Sequence, residues 1–294
     1  MVSRSAWITE IWMDYGFINS TLDFGANYRI LFYDTQRYLK WVHLPTPSTN
    51  PEVLLMVSSR CDNFSKRNIL RKTWMKTGNS RIKSLFLVGL GSHIDSKTRE
   101  IVLKEAELYG DMVVTDLEDT YTGLPFKSLS LLLYAISKES SAKLLAKIDE
   151  DVILFPNRLL SLIDNGEIKT NGLWIHGDLI EAGAIVDTQP QVLKSSTFGC
   201  AKYPEYLSGP FYMATREAAM EILKGTKHRK QMISEDTLIT GILAEDAGIH
   251  RVQLPYLFLW PDTNFKDSDK ILAWHSPLEN DKYVEFYEKF RVID

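Results

Sequence analysis

Cysteine is scarce in this chain: Cys61 and Cys200 are the only two in 294 residues. Neither belongs to a CxxC pair or a Cys/His cluster, which excludes a structural zinc site of the usual spacing and leaves room for one disulfide that spacing cannot establish. No apolar run approaches the ~20 residues that a membrane helix needs. The opening MVSRSAWITEIWMDYG is broken by Glu10 and Asp14 too early for the apolar core of a signal peptide. The sequence therefore predicts a soluble chain. It also lacks any long Lys/Arg block, and with a net charge of -4 it carries no electrostatic footprint for nucleic acid. Internal repeats and low-complexity tracts are absent as well.

What is present is a core-forming composition, 45% hydrophobic and 24% charged, at a length that suits one large core or two modest ones. Residues 1 to 51 read as an aromatic-rich extension without a clean period, closed by the extended linker LPTPSTNP, Leu44 to Pro51. A domain covering 52 to 294 follows. In it, apolar runs at Val53 to Val57, Leu85 to Val88, Met112 to Thr115 and Leu144 to Ile148 alternate with helical patterns over Phe64 to Lys76, Ser96 to Tyr109 and Pro125 to Lys138. Strand and helix in alternation predict an α/β fold with a mainly parallel sheet covered on both faces, its ligands gathered at the carboxyl ends of the strands. Farther on, Leu173 to Ile175 and Ile180 suggest strands, Arg216 to Leu223 a helix, and Ile233 to Ile249 another, with Ser234 as cap and Gly248 as terminator.

The strand Leu144 to Ile148 runs into Asp149-Glu150-Asp151. Adjacent carboxylates repel, and burying one unpaired is costly, so something positive is expected there. On an extended backbone Asp149 and Asp151 point the same way and Glu150 the opposite way. Two hard oxygen ligands on one side suit Mn²⁺ or Mg²⁺, and a solvated acidic turn is the alternative. Arg67 and Arg71, four apart in KRNILRKTW, share a helical face and either grip a phosphate or an acidic side chain or form a solvated surface above a buried Trp74. Lys127 either reaches a phosphate or pairs with Glu118 or Asp119. The aromatic stretch YPEYLSGPFYMAT is either a sugar platform or core. Glu235 and Asp236 open a helix, where the dipole keeps a carboxylate ionised and able to take a hydroxyl proton, although acids are routine in first turns. His275 is either a third metal ligand or an ordinary half-buried histidine. Asn19 and Asn63 head the tripeptides of N-glycosylation sites.

In this order and spacing, KRNILRKTW, SLFLVG, EAELYGDMVVTDLEDTYTGLPFKSL, AKIDEDVILFPNRL, YPEYLSGPFYMAT and SEDTLITGILAEDAGI resemble the β1,3-galactosyltransferase family, which includes related N-acetylglucosaminyltransferases. The similarity runs from Val53 to His275. It implies a GT-A fold and an inverting transfer of a hexose, galactose first and N-acetylglucosamine as the alternative, from a UDP-sugar to a glycan acceptor in β1,3 linkage. It also implies that Asp149 and Asp151 bind Mn²⁺ on the diphosphate with His275 as companion and Glu150 beside the nucleotide sugar. Arg67, Arg71 and Trp74 match the family's RRxxIRxTW, and Asp119 and Lys127 its DxxDxYxNLTxK, both near the nucleotide. Asp236, with Glu235, matches the EDV motif that holds the base. Tyr203, Tyr206, Gly209 and Tyr212 match YPxYxxGxxY beside the acceptor.

By the same resemblance the protein is expected in the Golgi lumen or membrane, although no anchor is visible in the sequence. The chain has DED where the family has DDD, GLPFK for NLTxK, and EDT for EDV. Two other readings compete: a relative that binds sugar or nucleotide without transfer, and a glycosidase, whose paired acids also act on glycosides but which leaves the arginine helix unexplained.

Overall fold

The computed structural model describes residues 27–45, 50–76, 78–182, 203–258 and 270–291. Asn19, of one glycosylation tripeptide, and Cys200, of the possible disulfide, lie outside them. Strands β1 (Asn27–Leu31) and β2 (Gln36–His43) form a hairpin. Then come β3 (Val53–Ser59), α1 (Phe64–Lys72), β4 (Ile82–Gly89), α2 (Ser96–Tyr109), β5 (Met112–Thr115), α3 (Leu124–Lys138) and β6 (Leu144–Asp149). A short β7 (Val152–Leu154) leads to α4 (Pro156–Asp164), β8 (Trp174–Ile180), β9 (Tyr206–Thr215) and α5 (Arg216–Gly225). The chain continues through β10 (His250–Gln253), β11 (Leu257–Phe258), β12 (Ala273–His275) and α6 (Asn280–Arg291).

Among the described residues the main sheet has nine strands in the order β1-β2-β5-β4-β3-β6-β9-β8-β10. Its centre, β5-β4-β3-β6, is parallel, and β9 is antiparallel to both β6 and β8. Strands buried on both faces need no polar alternation, which is why VLLMV in β3 is apolar throughout. Its side chains still alternate: Leu54 and Met56 enter one core with α3 and α5, while Val53, Leu55 and Val57 enter the other with α1, α2 and α4. The α/β expectation is thus met, with helices packed on both faces.

Residues 27–43, ahead of the expected domain start at Glu52, join this sheet. β2 pairs antiparallel with β5, and Leu39 and Trp41 are buried against α3, where the Trp41 ring meets Tyr134 edge-on at 5.9 Å. The hairpin does carry the alternation of a strand with one wet face, but only briefly: Leu39 and Trp41 point inward and Lys40 between them is exposed.

Two helices depart from the sequence pattern. The expected Phe64 to Lys76 helix stops at Lys72 because the Thr73 hydroxyl donates back to the Ile69 carbonyl at 2.9 Å; Trp74–Lys76 follows as a 3₁₀ turn. The expected helix Ile233 to Ile249 is widened into π geometry over Thr237–Leu243 before it ends at Gly248, φ +64°. Arg251 donates to the Thr240 and Gly241 carbonyls at 2.7 Å each, and a side chain at Gly241 would meet Tyr206 Cβ at 3.1 Å. These contacts fix the widened turn, a distortion common at functional sites.

If the hairpin belongs to the domain, Trp41→Ala should cost about 3–5 kcal/mol of stability, the usual loss for a fully buried aromatic. Urea unfolding followed by circular dichroism would measure it, and a loss near zero would show that the hairpin is dispensable.

Candidate active site

β6 ends at Asp149, and Glu150 and Asp151 form the turn into β7. The alternation expected for three extended residues therefore stops after the first. Asp149 shares a sheet face with Lys147, whose ammonium lies 2.7 Å from its carboxylate. Lys147 is buried, donates to the Gly209 carbonyl at 2.7 Å, and lies 3.7 Å from Glu235. Burial alone would lower its pKa, but Asp149 and Glu235 overcome this and raise it, so the ammonium stays charged. Here is the positive charge that the acidic triplet demands, supplied two residues upstream in the same strand.

Glu150 turns the other way. It accepts from the Ser59 hydroxyl at 2.6 Å and from the Asn63 amide at 2.7 Å, which ties the end of β6 to the end of β3. Asn63 is thus engaged inside the protein, and a glycan attached to its amide would break that contact. Asp151 meets His275 Nε2 at 3.1 Å, because β12 pairs antiparallel with β7 and places His275 opposite Val152. Burial pushes the Asp151 carboxyl up, but the His275 hydrogen bond and charge, with Lys66 nearby, hold it below the usual value. Burial pushes Asp149 up, and the charge of Asp151 adds to that despite Lys147.

Asp151 Oδ1 is buried without a hydrogen-bond partner. An orphaned carboxylate oxygen beside a second carboxylate and an imidazole suits a hard or borderline divalent ion in donor type. Among the described residues no group of three or more His, Cys, Asp or Glu side chains stands ready to hold a metal ion, as Asp149 is turned to Lys147 here.

The arginine helix takes the acidic-side-chain alternative, not the phosphate that the resemblance implies. Arg67 is fully buried and spends its donors on Glu105, the Ser59 hydroxyl and the carbonyls of Arg60 and Cys61. Arg71 grips Asp111 through two nitrogens, at 2.7 and 2.8 Å, and Glu105 through the third, at 2.6 Å. Neither has a face left for a phosphate, and neither is solvated: they clamp the turn after β3 onto α2. Trp74 is core, its indole N–H donating to Val152 O at 3.2 Å and Tyr283 Oη at 2.9 Å, beneath the strand that follows Asp151. Lys127 is also buried, and donates to Asp119 at 2.8 Å and Ser59 O at 2.9 Å. The cation that faces the acidic turn is Lys66, packed 4.0 Å over the Tyr283 ring with Asp151 and Glu150 in its field. Sequence reasoning missed Lys66 and Lys147; the i, i+2 pairing of Lys147 with Asp149 on one strand face was a signal for the latter.

On the other side of β6, Asp236 Oδ1 accepts from Ser234 Oγ at 2.9 Å and Thr237 N at 2.8 Å. Ser234 thus orients the acid where a helix cap was expected. Oδ2 faces Gly209, where a Cβ would come within 3.2 Å, so glycine keeps that oxygen accessible. Tyr121, Tyr203 and Tyr206 surround Asp236 closely enough for its charge to raise their pKa values beyond the effect of burial, Tyr206 to about 12. Tyr203 and Tyr206 meet edge-on at 6.3 Å. Glu235 and Tyr212 are instead buried and bonded to each other, beside Lys147, so they brace the site from behind. Burial raises the Glu235 pKa, with Lys147 opposing and Asp236 adding to the rise.

A family model described as Galactosyltransferase matches residues 65–255, which contain Asp149, Glu150, Asp151 and Asp236 but not His275. The chain belongs to the galactosyltransferase family. It is 45% identical to β1,3-galactosyltransferase bre-2 of Caenorhabditis elegans over 97% of this chain and 83% of that one. It is 26% identical to β1,3-galactosyltransferase 1 of Mus musculus over 69% of this chain and 63% of that one. It is 24% identical to lactosylceramide 1,3-N-acetyl-β-D-glucosaminyltransferase B of Xenopus laevis over 80% of this chain and 64% of that one. Among solved structures, the apo form of the bifunctional glycosyltransferase WbbM aligns with 85% of this chain and 52% of its own, at 11% identity and a TM-score of 0.47. Membership makes the chain a hexosyltransferase, and the acidic turn lies at the carboxyl end of a strand in the parallel part of the sheet, where α/β folds gather their ligands.

The Arg67–Glu105 pair has a testable pH signature. Although burial pushes Glu105 up, the two arginines hold its carboxyl below the usual 4.5. A depressed folded-state pKa stabilises above the unfolded value and is lost as pH falls through the folded one. Glu105→Gln should therefore cost about 3–5 kcal/mol at pH 7, as expected for leaving a buried partner charge unpaired, and the gap to the parent should shrink below pH 4.5. Denaturant unfolding at pH 7 and pH 3.5 would read both, and a gap unchanged with pH would remove the ionic role of Glu105.

Proposed function

We propose that this protein transfers a hexose, galactose first, from a UDP-sugar to a glycan acceptor in β1,3 linkage, with inversion. The carrying observation is the pairing of two differently furnished carboxylate centres across β6: the Asp149/Asp151 turn with His275, and Asp236 ringed by tyrosines. Asp149, Asp151 and His275 would hold a divalent metal, Mn²⁺ by donor type with Mg²⁺ as substitute, and when bound it would supply positive charge to the diphosphate leaving group. Lys66 adds a fixed cation on the same side.

Asp236 then has one oxygen held by Ser234 and Thr237, and Oδ2 free to accept the acceptor's hydroxyl proton. As that proton leaves, the oxygen attacks the anomeric carbon and the bond to UDP breaks. Gly209 and the tyrosines shape the space for the acceptor sugar. Buried Lys147, hydrogen-bonded to Gly209 O and paired with Asp149, keeps the donor and acceptor halves in fixed relation. The reading supports work in protein or lipid glycosylation in the Golgi, as in family members. No helix among the described residues is long and apolar enough to cross a membrane.

UDP-N-acetylglucosamine is the second donor reading, favoured by the likeness to the Xenopus laevis enzyme. Release of UDP from UDP-galactose and UDP-N-acetylglucosamine, with Mn²⁺ or EDTA and an array of sugar acceptors, separates the two. Asp236→Asn should lower acceptor-stimulated release by about 10²–10⁴-fold, the usual share of general base catalysis, while UDP still binds. Asp151→Asn should abolish metal stimulation. Full transfer by either variant would sink the assignment of that residue.

A further inference from the structure

Beyond the two carboxylate centres, a cavity of about 350 Å³ opens where the N-terminal hairpin meets the loop before α3. Its wall includes Arg37 from β2, Asp116, Thr120, Thr122 and Gly123 from the loop, and Gln231. We propose that this cavity is a second glycan subsite, which holds a neutral sugar unit of an extended acceptor whose terminal sugar lies at Asp236; the inference rests on the transferase reading above.

The chemistry of the lining selects that class of ligand. Asp116 uses one oxygen on Lys40 N at 2.7 Å. The guanidinium of Arg37 lies 5.8 Å over the Phe126 ring, another part of the wall. The hydroxyls of Thr120 and Thr122 lie 3.2 Å apart, and Gln231 donates its amide to Met232 O at 2.9 Å, which leaves its carbonyl oxygen as an acceptor. Donors and acceptors thus alternate around a cavity large enough for a small ligand, which is how hydroxyl-rich molecules are held. Glu118 also lines the wall but is spent on Ser92 and His93. With two carboxylates against one guanidinium, a phosphate or sulfate is disfavoured.

Position supplies the second argument. Tyr121 stands between the two threonines of the wall, half-exposed, and senses the charges of Asp236 and Glu235. One loop therefore lines the cavity through Thr120, Thr122 and Gly123 and carries, between those threonines, an exposed aromatic ring within the field of Asp236, a surface over which a sugar can lie. Gly123 makes the loop tight enough: a Cβ there would meet the Glu118 carbonyl at 2.7 Å. Where the family's pattern has asparagine this chain has glycine, the first residue of GLPFK. Arg37 comes from a hairpin that lies outside the matched residues 65–255.

The test compares methyl β-glycosides of galactose, N-acetylglucosamine and N-acetylgalactosamine with trisaccharides that end in the same sugars. Binding is measured by isothermal titration, and transfer by UDP release, for the parent chain and for Arg37→Ala/Gln231→Ala. The trisaccharide of the preferred terminal sugar should bind about tenfold more tightly than its monosaccharide, a difference of about 1.4 kcal/mol. The double variant should lose that gain and keep the monosaccharide affinity, the UDP affinity and the turnover at saturating acceptor. No gain with length, or a gain that survives the double variant, overturns the subsite. If the length-dependent binding is lost in the variant but no donor supports transfer, the subsite stands and the transferase reading falls. Transfer without any dependence on length removes the subsite alone.

Discussion

A buried ammonium on the central strand is the constraint around which this site is organised. Lys147 cannot remain charged in an apolar interior without carboxylates at close range. It has one in each direction: Asp149 along its own strand and Glu235 from the π-helical region. Its third contact, to Gly209 O, fixes the strand that runs past Asp236. The side that would face a sugar nucleotide and the side that would face an acceptor are therefore joined by a single side chain, and their separation is set inside the sheet, where backbone hydrogen bonds leave little freedom.

A second set of charges secures the neighbouring strand. Arg67 and Arg71 pull Glu105 and Asp111 of the opposite helix and its exit against the turn that follows β3, and Ser59 at the end of that strand passes the order on to Glu150. Guanidinium groups suit this task because their planar donors bind carboxylates in two-pronged fashion and backbone carbonyls at the same time. A motif that reads as phosphate recognition thus acts one layer farther out, as the frame of the residues nearer the chemistry.

The alternation of strands and helices was legible because both periods are local, and Met112 to Thr115 and Ser96 to Tyr109 stand where the pattern places them. The acidic turn and the acid at the π-helical start were legible as well, since each breaks an apolar pattern. What escaped were consequences of distance in sequence. Glu105 lies 38 residues from Arg67, and nothing in either segment names its partner. The hairpin that carries Trp41 shows only a short alternation, Leu39 and Trp41 inward with Lys40 outward between them. The π-helical widening depends on Arg251 and on the close passage of Tyr206, neither of which the segment itself contains.

His275 reaches Asp151 through a three-stranded patch, with β12 between β7 and β11. Side chains on a strand change face with every residue, so a slip of one position would exchange the imidazole for buried Trp274 or for Ser276. The imidazole is therefore located by strand register and by the indole anchored beside it, not by the length of chain that precedes it. A change in β7 or β12 that shifts this register would therefore displace the imidazole without touching His275 itself.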